Sequence, residues 1–64
     1  MKISGYIHGG TLVMVVESGQ RVACIERMGT GNAYVEVRRD GITQKSTHAT
    51  LDAAVACAQE AVDR

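Results

Sequence analysis

The turn signals constrain this chain more than any other feature it carries. His8-Gly9-Gly10-Thr11, Ser18-Gly19-Gln20-Arg21 and Met28-Gly29-Thr30-Gly31-Asn32 each separate short β-type runs. A tight turn sets the register of the strands it joins. Gly9-Gly10 suits a two-residue type I′ turn, which needs positive φ at both central positions. That turn pairs Ile7 with Leu12, Gly5 with Met14 and Ile3 with Val16. Gly19-Gln20 suits a type II′ turn, with glycine at the first central position, and sets Val16 opposite Ala23 and Met14 opposite Ile25. The segment 29–31 reads as a three-residue hairpin loop with Gly31 in the left-handed position of a G1 bulge. It pairs Met28 with Asn32, Ile25 with Val35 and Ala23 with Val37. The three registers are independent, yet they agree on which residues share a face.

Side chains alternate across a strand, so strands at about 2–8, 11–18, 21–28 and 32–39 place Ile3, Ile7, Leu12, Met14, Val16, Ala23, Ile25, Val35 and Val37 on an inner face. The outer face keeps Tyr6, Val13, Val15, Val22, Cys24, Met28 and Tyr34, with Tyr6 opposite Val13, Val15 opposite Cys24 and Tyr34 opposite Glu26. Asp40-Gly41 marks a further turn. A two-residue loop there puts Ile42 inside opposite Arg39, and a three-residue loop puts it outside opposite Arg38. Residues 42–46 then make at most a short polar edge strand.

A helix is predicted from near Thr50, whose hydroxyl can cap free backbone N–H groups. Asp52 in its first turn and Arg64 at its end suit the helix dipole. Leu51, Ala54, Val55, Ala58, Ala61 and Val62 recur at three- and four-residue spacing as one apolar stripe. The expected fold is therefore α+β. Residues 1–64 form one ββββ(β)α domain, an antiparallel meander of four or five strands with the C-terminal helix packed on one face. Met14, Ile25, Val35 and Val55 are expected among the most buried residues. Cys24 on the outer face and Cys57 on the helix are kept apart by the sheet, since a disulfide needs Cα atoms within about 7 Å.

At 64 residues, with no Phe or Trp and two Tyr, the core must come from Val, Ile, Leu, Met and Ala. A single core of that size is thin. Seven basic and seven acidic side chains balance to a net charge of zero, which speaks against a nucleic-acid binder and against a simple acidic DNA mimic. Two cysteines make no disulfide framework. The longest apolar run, LVMVV at 12–16, falls far short of the roughly 18 residues of a membrane span, and the N-terminus lacks the apolar stretch of a signal peptide. The expected location is a reducing, cytosolic compartment.

No chemistry-bearing constellation emerges. Gly29-Thr30-Gly31 lacks the lysine and the strand-to-helix context of a phosphate-binding loop. His8 and His48 have no neighbouring ligands to complete a zinc site, and Cys24 sits mid-strand without a base to activate it. Glu17, Glu26 and Glu36 alternate with Arg27 and Arg38 as solvated strand residues do. One sheet and one helix also offer little concavity for a substrate. The expectation is a non-enzymatic chain with no catalytic residue, metal or cofactor. Its candidate partner-binding residues are Tyr6, Val13, Val15 and Tyr34 on the open face, with Arg38 and Arg39 on the charged hairpin.

Two resemblances bear on function. The tail THATLDAAVACAQEAVDR, residues 47–64, resembles the ending of HicB-type antitoxins, where a TLxEA-like segment opens a helix; the aspartate-proline-glycine-cysteine region of that family is missing. In size and architecture the whole chain resembles small accessory proteins of phages and mobile elements, anti-CRISPR proteins among them. That resemblance implies a protein-binding inhibitor that blocks a larger complex by occupying a surface, with a CRISPR effector subunit as the specific partner. Self-association is the other partner expectation. The alternatives are a single-stranded nucleic-acid or RNA-binding module, which would stack bases on Tyr6 and Tyr34 and hold phosphates with Arg38, Arg39 and Lys45, and a HicB-like antitoxin homodimer.

Overall fold

Residues 1–63 are described by the computed structural model, and each turn in it follows from the glycines that flank the strands. Gly9 and Gly10 both take positive φ, 58° and 80°, as a type I′ turn requires. They join β1 (Lys2–His8) to β2 (Thr11–Ser18). Gly19 alone is positive in the next turn, the type II′ signature, and leads into β3 (Arg21–Met28). β4 (Ala33–Arg39) follows. Asp40 and Gly41, again both positive at 53° and 78°, then connect it to β5 (Ile42–His48). The strands lie in chain order in one sheet, every neighbouring pair antiparallel. The three expected registers are present, including Gly5 opposite Met14, Met14 opposite Ile25 and Ile25 opposite Val35.

The turn after β4 takes the two-residue form, so Ile42 lies opposite Arg39. β5 runs for seven residues, longer than the short edge strand expected from its polar composition. Backbone pairing to β4 builds it, with no buried side chain needed.

The loop after β3 departs from the expected bulge. Gly29, not Gly31, holds the positive φ, at 57°. The Gly31 N–H donates to the Met28 carbonyl at 3.1 Å, closing a turn in which glycine stands at the first central position. The Arg27 Nε–H donates to the Gly31 carbonyl at 3.1 Å and pins the far side.

α1 (Leu51–Asp63) starts where expected. Thr50 Oγ1 accepts from the Ala53 N–H at 3.2 Å, and the Thr50 carbonyl accepts from Ala54 N–H at 3.2 Å, so the threonine is the N-cap. Asp52 lies in the first turn; Arg64, expected to complement the other end, lies outside the described residues.

The core is Val16, Ala23, Ile25, Ala33 and Val35 of the sheet against Ala54, Ala58 and Val62 of the helix, and no polar side chain is buried in it among the described residues. Alanines at the contact let the helix lie close, as the stripe suggested. Its reach is shorter than the inner face is wide: α1 touches β2, β3, β4 and β5 but not β1. Ile3 and Ile7 lie on the inner face as expected but are therefore 45% and 76% exposed. Met14 and Val55, expected among the most buried, are only half-buried beside the core, as is Val37; Leu12 is half-buried too. Ile25 and Val35 are buried as expected.

Candidate functional site

The face of the sheet away from α1 has no covering element among the described residues. Its side chains fall into cross-strand rows fixed by the registers. One row runs Tyr6, Val13, Glu26, Tyr34 and Thr47; the next runs Ser4, Val15, Cys24, Glu36 and Lys45; a third runs Lys2, Glu17, Val22, Arg38 and Thr43. The middle of the face is thus Val13, Val15, Val22 and Cys24. All four are half-buried by their sheet neighbours alone. The two tyrosines stand in one row, Tyr6 at its β1 end and Tyr34 on β4 inside Thr47, 61% and 55% exposed.

Around this apolar centre the charges alternate in sign. Lys2 faces Glu17 and Glu36 faces Lys45 across strands, while Arg38 Nε lies 3.6 Å from Glu36 Oε1. Exposed ion pairs of this kind contribute little to stability. They do give the rim a mixed, nearly neutral potential. An apolar centre inside a polar rim is the usual anatomy of a protein–protein contact.

Of the candidate residues, the structure brings Tyr6, Val13, Val15, Tyr34 and Arg38 onto this one face. Arg39 points the other way. It lies in the row with Ile42 on the helix side of the sheet, so the adjacent arginines do not form one basic patch. Lys45 joins the open face but stands opposite Glu36.

A second feature lies on the helix side and was not legible in the sequence. An open groove of about 640 Å³ runs between β5 and α1, lined by Val37, Gln44, Lys45, Ser46, Cys57, Glu60 and Ala61. Ser46 Oγ sits 2.9 Å from His48 Nε2 and 3.9 Å from Cys57 Sγ. A nucleophile–base pair begins with such a contact, but it also needs a group that orients the base and donors for the developing charge. Ser46 lies on the exposed edge strand. The cluster is a hydrogen-bonded contact between β5 and the helix.

Among the described residues no three His, Cys, Asp or Glu side chains converge on a possible metal position, and no helix is long and apolar enough to cross a membrane. Cys24 and Cys57 are free thiols on opposite sides of the sheet. No protein-family model matches the chain, and no curated protein or solved structure is significantly similar to it.

Proposed function

We propose that this protein is a small non-enzymatic protein-binding module that works by covering a surface of its partner with its open sheet face. The observation that carries the reading is the uncovered face itself: a contiguous valine and cysteine centre, two exposed tyrosines in one row and a charge-balanced rim. Soluble monomers rarely leave such a patch open without use. Tyrosine combines a large apolar ring with a hydroxyl that tolerates water, and it is enriched among residues that dominate binding energy. Glu26 between the tyrosines and Glu36 beside Lys45 disfavour the phosphate backbone that a nucleic-acid reading requires.

The specific form of this proposal is a phage-type inhibitor of the anti-CRISPR kind, with a CRISPR effector subunit as partner; it is supported by the class resemblance in size and architecture. Affinity capture from the native host, followed by interference assays with and without the protein, tests that form.

The face itself is tested by the double variant Tyr6→Ala, Tyr34→Ala. It should keep the wild-type melting temperature, because neither ring touches the helix-covered core. Partner affinity should fall by at least about 2 kcal/mol, close to thirtyfold, if the tyrosines are hot spots. Unchanged affinity in the folded double variant would remove the face from consideration. A salt-dependent shift of a random single-stranded oligonucleotide would favour the nucleic-acid alternative instead.

A further inference from the structure

The two edges of the sheet differ in a way that points to self-association through one of them. β1 and β5 are the outer strands. In a two-residue hairpin the residues flanking the turn form a hydrogen-bonded pair, and bonded and non-bonded pairs then alternate along the ladder. His8 and Thr11 flank the first turn, so His8, Tyr6, Ser4 and Lys2 direct their backbone groups to β2. Ile3, Gly5 and Ile7 direct theirs to the open edge. Their side chains all lie on the helix side of the sheet, where the helix does not reach and where the isoleucines are exposed.

We propose that β1 pairs antiparallel with β1 of a second copy of this chain about a two-fold axis at Gly5. The segment Ile3-Ser4-Gly5-Tyr6-Ile7 is self-complementary in the sense this requires. Turned on itself at Gly5, it sets Ile3 against Ile7 of the second copy, Gly5 against Gly5 and Ile7 against Ile3. These are the three residues with outward backbone groups, so each pair exchanges N–H···O=C bonds in both directions. Glycine on the axis removes any clash of identical side chains, and each exposed isoleucine gains an apolar cross-strand neighbour. Such a two-fold contact is isologous and closes on itself. The helices, which stop short of β1, stay clear of one another.

The other edge is guarded. The same alternation counted from the Arg39–Ile42 pair leaves Thr43, Lys45 and Thr47 facing outward on β5. Their side chains lie on the open face, and pairing β5 with itself about its centre would set Lys45 against Lys45. Like charges directly opposite are unfavourable, and an edge lysine is a common block to sheet extension. Joining β1 antiparallel to β5 of another copy would bring isoleucines against lysine and threonine and put the two helices on opposite faces. A closed dimer is therefore favoured over an open chain of sheets. It would join the two open faces into one of double width.

Analytical ultracentrifugation with amide hydrogen exchange on the wild-type chain, from micromolar to millimolar concentration, tests the proposal. A monomer–dimer equilibrium is expected. Exchange at Ile3, Gly5 and Ile7 should slow by at least about tenfold as dimer forms, while Thr43, Lys45 and Thr47 exchange as before. Ile7→Lys, at a position already exposed in the single chain, should stay folded and monomeric by the same measurements. Tyr34→Ala should dimerise as wild type does, which separates this contact from the partner-binding face. A strictly monomeric wild-type chain, a dimer that leaves the three β1 amides unprotected, or loss of the dimer in folded Tyr34→Ala would each overturn it.

Discussion

At the scale of single residues, position relative to the helix decides what a side chain is worth. Ile25 is fully buried under α1 and Ile7 is 76% exposed, although both are isoleucines on the same face of the same sheet. Ile25→Ala should destabilise by about 2–5 kcal/mol, the range for deleting buried methyl groups. In so small a domain that approaches the whole margin of stability, so thermal denaturation should show a collapsed or lost transition. Glycine positions separate in a similar way. A Cβ at Gly29 meets nothing within 4 Å, yet φ is +57°; Gly29→Ala should still cost on the order of 1–2 kcal/mol through backbone strain alone, measurable by urea denaturation. That Gly29 and not Gly31 needs this freedom could not be read from composition. Two glycines two residues apart satisfy either turn, and the choice rests on the Met28–Gly31 bond and the Arg27 contact behind it.

Elements are governed by how closely they approach. Ala54 and Ala58 have no exposed surface where α1 meets the sheet. Ala58→Leu should cost about 1–3 kcal/mol by overpacking, whereas Ala56→Leu on the exposed side of the same helix should leave the melting temperature nearly unchanged. The first two pairings are legible in the sequence because a two-residue turn leaves no freedom of phase, and Gly9-Gly10 and Gly19-Gln20 obey that rule; Asp40-Gly41 allows two phases by sequence alone, and the two-residue one is adopted. The helix was readable from the spacing of its apolar stripe and from Thr50. Its reach was not. Which inner-face residues a thirteen-residue helix covers depends on its crossing direction, which no local signal encodes, and Ile3 and Ile7 lie beyond it. The candidate face follows directly from alternation along the strands, so Tyr6, Val13, Val15 and Tyr34 were placed together correctly. Arg39 was grouped with Arg38 by adjacency, and the same alternation separates them.

For the molecule as a whole, the sheet acts as a partition. Cys24 and Cys57 lie on opposite sides of it and are free. The intact protein analysed without reductant should show two thiols open to alkylation and no intramolecular bond; a mass two hydrogens lighter would mean that the sheet does not separate them. The order of the strands carries a further consequence, for the speed of folding. Every strand pairs with its neighbour in sequence, so each hairpin can close over a short loop before the next one forms. Chains dominated by such local pairing cross their barrier faster than sandwiches or barrels of the same size. The costly step is the return of the last segment, because Val62 and Ala58 must find Val16 and Ala23 across most of the chain length. Substitutions in the first three hairpins and in the helix contact should therefore divide in stopped-flow experiments: one group slows folding, and the other chiefly speeds unfolding.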